Sequence, residues 1–174
     1  MLTVEPMISM AEHSAPQQTQ LLTGLDEAAR AATLKAANIN PRTGLATDYL
    51  NHFNEAIMLL EMIPDMPECA GDFLEWRPLS YAEHFIASNF KARDLAIEAY
   101  EAADPTIRAE FDHVTGTMTS ILTAVGDAMR EAQQDETRTK LAEQATSWVK
   151  PLVSAAGGII NGGSDTDIDY IMTH

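Results

Sequence analysis

Apolar residues recur every three or four positions along the stretch from Pro105 to about Gln133. They are Ile107, Phe111, Val114, Met118, Ile121, Val125 and Met129. This spacing puts them on one face of an α-helix and is close to the heptad repeat of helices that pack side by side. At 1.5 Å per residue the helix would be about 40 Å long. The pattern therefore predicts a long amphipathic helix, which must cover its apolar face with other helices of the chain or with a second copy.

Four more segments show helical periodicity, at about 18–37, 45–63, 81–103 and 136–160. Ser80 and Glu83 fit a capping box that would begin the third of them. Asp104-Pro105 is a typical start signal for the long helix. The predicted buried stripe of the last helix is Leu141, Ala145, Trp148, Leu152 and Ala156.

Long helices joined by short connectors, with no alternating strand pattern, favour an all-α fold. The length of 174 residues suits a single domain. We expect an antiparallel bundle of four to five helices over residues 18–161. A flexible N-terminal tail over 1–17 and a C-terminal extension over 162–174 would flank it.

The chain is acidic, with 26 Asp and Glu against 11 Lys and Arg, and its formal net charge is −15. This charge repels nucleic-acid phosphates and anionic lipids, so it argues against both as direct partners and favours cationic ones. No apolar run reaches the roughly 18 residues of a membrane span. The first residues lack the basic and apolar regions of a secretory signal, and we expect a cytoplasmic protein.

Asp48, His52 and Glu55 lie at helical spacing on the edge of one predicted helix. Histidines and carboxylates on facing helices are the ligands of metal sites in bundles, so a divalent metal such as iron, zinc or manganese is one alternative. His84 or His113 would complete the site from another helix. The Glu-x-x-His motif of ferritin-type di-iron bundles is absent, and Asp48 and His52 equally suit a plain helical pair.

The two other histidines within predicted helices suggest a phosphotransfer protein as a second alternative. His84 and His113 are each expected on a boundary or wet helix face, although neither is followed by the lysine usual at such sites. The sequence carries no Gly-x-Ser-x-Gly elbow and no phosphate-binding glycine loop. Its single cysteine, Cys69, permits neither an internal disulfide nor a multi-cysteine zinc site. We therefore predict no catalytic residues and no cofactor.

Methionines cluster at the end of the second predicted helix, close to a tryptophan in the following connector. Met58, Met62 and Met66 either fill the core or, with Trp76, line a groove for a partner helix. The leading hypothesis is a non-catalytic protein-binding or regulatory module with this surface, acting on a protein partner or by self-association. On that hypothesis Trp76→Ala would weaken a complex without loss of helix.

Overall fold

The computed structural model describes residue 24 and residues 26–162 of the chain. Its α-helices are α1 (26–36), α2 (Leu50–Met62), α3 (Ala70–Glu75), α4 (Tyr81–Ala87), α5 (Arg93–Ala102), α6 (Pro105–Glu131) and α7 (Asp135–Ile160). One-turn 3-10 helices at Thr47–Tyr49 and Pro67–Cys69 precede α2 and α3. These residues include no strand, and Ile39 and Ala46 form an isolated antiparallel bridge. The prediction of an all-α fold is confirmed.

The two longest helices, α6 and α7, pack along their length and are joined by residues 132–134 as an antiparallel hairpin. Arg138 stabilises the turn by donating hydrogen bonds to the carbonyl oxygens of Met129 and Ala132 at the end of α6. The last carbonyls of a helix lack the regular intrahelical donors, and Met129 also accepts from the Ala132 amide over 3.3 Å. α2 also packs against α7, and α3 packs against both α2 and α6. The core between these helices contains Phe53, Leu60, Phe111, Met118, Leu122 and Val149.

The segment before α2 is tied to the end of α7. The Thr43 hydroxyl donates to the Ile160 carbonyl oxygen over 2.6 Å and also accepts from the Leu45 amide. Gly44 beside it has a φ of +73°, and a Cβ there would lie 2.8 Å from the Ala99 carbonyl oxygen. This turn therefore requires glycine for both its conformation and its space.

The predicted helix over 81–103 is two helices, α4 and α5, separated by residues 88–92. α4 ends at Ser88, whose backbone is extended, with φ −81° and ψ 151°, and whose amide donates to the His84 carbonyl oxygen. Phe90 then packs edge-on against Phe85, 5.1 Å between ring centroids. The predicted start signals are confirmed: Ser80 and Glu83 form a capping box, and the Asp104 side chain accepts from the amides of Thr106 and Ile107.

The buried faces of the last two helices differ from their predicted stripes. On α6, Thr115 and Leu122 are buried while Ile107, Val114 and Ile121 are half-buried, because α6 contacts α3 as well as α7. On α7 the buried residues are Ala142, Ala145, Val149, Ala156, Ile159 and Ile160. Trp148 was expected in this core, but 49% of its surface is exposed. Small side chains let α7 approach its neighbours closely and leave the indole outside.

The ends of the chain are outside the described residues. The predicted tail over 1–17 cannot be compared with the structure, and of the predicted extension over 162–174 the structure describes Gly162 alone. Among the described helices, none combines the length and the apolar character needed to cross a membrane.

Candidate functional site

A polar and aromatic cluster joins the start of α2 to the connector that leads into α4. The Tyr49 hydroxyl donates to the Leu79 carbonyl oxygen over 2.7 Å. The Leu79 amide in turn donates to His52 Nε2 over 3.0 Å. Two side chains, three residues apart, thus satisfy both polar groups of a single connector residue. His52 is predicted as a metal ligand, yet its Nε2 is used in fixing the backbone.

His52 is also covered by the tryptophan of the same connector. The Trp76 indole stacks on the imidazole with 4.6 Å between ring centroids, and its Nε1 donates to the His52 carbonyl oxygen over 3.2 Å. Burial lowers the pKa of His52 from 6.5 to about 4, with a smaller contribution from the charge of nearby His84. Because Nε2 accepts a hydrogen bond, the ring of the neutral residue carries its proton on Nδ1.

Asp48 and His84 form a hydrogen-bonded pair within the predicted metal-ligand set, and the His52 and His84 rings lie 6.1 Å apart between centroids. His84 Nε2 lies 2.9 Å from Asp48 Oδ2, as in an ordinary hydrogen bond. Two ligands bonded to one zinc ion at 2.0–2.1 Å in a tetrahedron would stand farther apart, at about 3.3 Å. Glu55 is exposed on α2 and joins no ion pair within the described residues.

No group of three or more His, Cys, Asp or Glu residues in the described part of the chain is arranged to hold a metal ion. Asp48 and His84 therefore meet as a pair, without His52 and Glu55 as further ligands. The structural role of His52 explains part of the difference between the predicted metal site and the observed pair, because Leu79 and Trp76 orient the His52 ring.

The two histidines considered for phosphotransfer have different environments. His84 was expected to be partly exposed but is buried, and its Nε2 is engaged by Asp48. His113 is exposed on α6, as predicted. Of the two, only His113 offers its ring to solvent.

The four residues predicted as a partner surface lie in different places. Met58 and Met62 border an open groove of about 620 Å³ between α2 and α7, whose edge carries the ion pair of Glu61 with Lys150 at 2.7 Å. Trp76 borders a cavity of about 120 Å³ against α6. Met58 and Met66 are 56% and 42% exposed. Met58 and Met66 are therefore surface residues and do not fill the core. The methionines and Trp76 do not line one common groove.

One apolar surface depression was missed by sequence reasoning. It is a groove of about 400 Å³ between α6 and α7, which we call the hairpin groove. Its lining residues are Ser120, Ile121, Ala124, Val125, Ala128, Leu141, Gln144 and Trp148. None of them is charged. A signal for it was present, because Ala142, Ala145, Val149 and Ala156 form an alternative helical stripe that would turn Trp148 outward.

Comparison of the chain with protein-family models, with curated proteins and with solved structures finds no match.

Proposed function

We propose that this chain is a non-catalytic protein-interaction module that self-associates through the hairpin groove. The proposal includes the architecture of an antiparallel helical bundle centred on α2, α6 and α7. The observation that carries it is the half-exposed indole of Trp148 at the edge of an uncharged apolar groove. Tryptophan is enriched among residues that dominate binding energy, since it buries a large area with few rotatable bonds.

A second copy suits the groove because the surface contains both a protrusion and a depression. In a two-fold interface the same patch of each subunit meets itself. Trp148 of each copy can then enter the space beside Ile121 and Leu141 of the other. The same patch of a second copy is therefore sufficient to fill the groove, and no other surface of the chain is required.

Electrostatics restrict which surface two copies can share. Each copy has a formal charge of −15, so most pairs of faces repel each other. The hairpin groove is lined by apolar side chains and by the uncharged Ser120 and Gln144. Contact here brings no carboxylate of the lining against another and removes apolar surface from water, which contributes about 25 cal/mol per Å².

Photo-crosslinking tests the proposal in the purified full chain. p-Benzoylphenylalanine replaces Trp148 in one variant and Ile86 in a matched control. Ile86 is 62% exposed on α4 and is absent from the groove lining. Irradiation should give covalent dimers with the label at position 148 and few with the label at position 86.

Equal dimer yields at the two positions would mean random collision and would contradict the proposed interface. Absence of dimers at position 148, even at millimolar protein, would also contradict it. The aromatic ketone keeps a large apolar side chain at the site, so loss of contact area would not explain a negative result.

A further inference from the structure

A second depression lies on a different part of α6 and is lined by tyrosines and threonines. It has a volume of about 330 Å³ and is bordered by the 78–80 connector, by Tyr100 of α5 and by one face of α6. We call it the tyrosine cavity. The residues of α6 that line it are Asp112, Thr115, Gly116 and Thr119. None of them contributes to the hairpin groove.

Most hydroxyl protons at this cavity are already committed to neighbouring oxygens. Tyr49 donates to the Leu79 carbonyl and Thr119 to the Thr115 carbonyl, over 2.7 and 3.0 Å. Tyr100 donates to the Asp112 carboxylate, with its hydroxyl 2.7 and 2.8 Å from the two oxygens. Thr115 donates to the Asp112 backbone carbonyl over 3.3 Å. What these four groups still offer is lone pairs, which suit a ligand that donates hydrogen bonds.

The two remaining hydroxyls at the cavity accept backbone hydrogen bonds, and each keeps its own proton to donate. Ser80 accepts from the Glu83 amide, and Tyr81 accepts from the Ala46 amide. Their positions are thereby fixed by the capping box of α4 and by the segment before α2. The lining is rigid for the same reason, which lowers the cost of ordering it around a ligand.

The formal charge of the lining comes from Asp112. Its carboxylate is exposed, and among the described residues neither lysine nor arginine forms an ion pair with it. Arg108, one turn away, donates to the Glu101 carbonyl over 2.8 Å and lies over the Tyr100 ring, 5.8 Å from its centroid, without forming an ion pair with Asp112. The carboxylate therefore has a neutral phenol as its partner and can still attract a cation.

Aromatic rings and aliphatic side chains form part of the walls around this carboxylate. Tyr81 and Tyr100 stack with 4.5 Å between ring centroids, and Pro78 and Leu79 also line the cavity. We infer that the tyrosine cavity binds a primary ammonium group on a short alkyl chain, with the ammonium on Asp112 and the chain against the aromatic and proline walls. A small amine and a lysine side chain of a basic peptide both carry this chemistry.

Titrations followed by backbone amide NMR shifts of the full chain test this inference. The probes are n-butylammonium, the neutral isostere 1-butanol, and a capped Gly-Lys-Gly peptide. Butylammonium should shift the Ser80 and Gly116 amides saturably with a Kd in the millimolar range, and 1-butanol should not. Tighter binding of the peptide than of butylammonium would identify a protein lysine as the ligand, and the reverse order a free amine.

Asp112→Asn should weaken butylammonium binding about tenfold or more, because it removes the charge and keeps the shape. Asp127→Asn is the matched control on the same helix, since Asp127 is also exposed but pairs with Arg130, and it should leave binding unchanged. Gly116→Leu is an independent test that fills the cavity mouth, where an added Cβ meets nothing within 4 Å. Non-saturable shifts, equal shifts with 1-butanol, or undiminished binding in both Asp112→Asn and Gly116→Leu would overturn the inference.

Discussion

Trp76 and His52 hold each other in two ways: their rings stack, and the indole Nε1 donates to the His52 carbonyl oxygen. The imidazole in turn accepts the Leu79 amide, so one histidine connects α2 to the connector before α4. A residue that resembled a metal ligand in the sequence is therefore placed for a structural task. Protonation or substitution of His52 is therefore expected to change the stability of the fold, whereas at a binding site it would change the affinity for a ligand.

The stability of the fold should fall as the pH drops from about 6.5 to about 4. His52 is 5% exposed, and burial lowers its pKa from 6.5 to about 4. In this interval the unfolded chain binds more protons than the folded one, so stability rises with pH. At 1.36 kcal/mol per pKa unit, His52 alone accounts for about 3 kcal/mol across the interval. Urea unfolding at a series of pH values measures this slope.

His52→Gln removes the titrating group and retains an acceptor for the Leu79 amide, so it should flatten the slope. His113→Gln changes an exposed histidine and serves as the control, with an unchanged slope. A His52→Gln profile parallel to that of the wild type would show that other groups cause the pH dependence.

Trp76→Ala should destabilise the protein by about 2–3 kcal/mol, because it removes a ring stack, a hydrogen bond and partly buried apolar area. Trp148→Ala should cost less than about 1 kcal/mol, since half of that side chain is already in water. Thermal unfolding of the two variants compares the same substitution at the two tryptophans. A larger loss at position 148 would contradict the assigned roles.

Gly44→Ala should cost more than about 1 kcal/mol, because its positive φ is unfavourable for alanine and the added methyl would meet the Ala99 carbonyl. Gly116→Ala is the matched control: the position is helical and open, and alanine should stabilise it by about 0.5–1 kcal/mol. The two changes thus have opposite expected signs. Chemical denaturation of both variants distinguishes them, and equal signs would exclude this account of the turn.

Thr43→Val should destabilise the protein by about 1–2 kcal/mol. The substitution keeps the shape of the side chain but leaves the Ile160 carbonyl without its 2.6 Å donor. Thr146→Val on the exposed side of α7 removes a hydrogen bond within one helix and should be nearly neutral. Amide hydrogen exchange should also show faster exchange near Ile160 in Thr43→Val, and unchanged protection there would refute the tether.

Helix boundaries could be predicted from the sequence where apolar periodicity, capping residues and connector residues indicated the same positions. Asp104-Pro105 and the Ser80–Glu83 capping box marked starts that the structure confirms. The break at Ser88 was missed because apolar residues continue past it, and only the packing of Phe90 against Phe85 explains why the chain turns there. Local sequence cannot report such a tertiary contact.

The orientation of α7 shows why the interaction surface was harder to predict than the fold. Two stripes compete on this helix, one with Trp148 and one with Ala142, Ala145 and Val149. Burial of the most hydrophobic side chains would favour the stripe with Trp148. The stripe with Ala142, Ala145 and Val149 is the buried one because its small side chains allow α6 and α2 to pack closely against α7. The choice depends on neighbours that are distant in sequence. The same reasoning applies to Met58 and Trp76, which border different depressions.

Sedimentation velocity of the untagged full chain over a range of concentrations tests the central claim most directly. The wild type should shift from monomer to dimer as concentration rises, and Trp148→Ala should remain a monomer with unchanged helical content. Wild-type protein that stays monomeric at millimolar concentration, or a Trp148→Ala variant that dimerises as the wild type does, would contradict self-association through the hairpin groove.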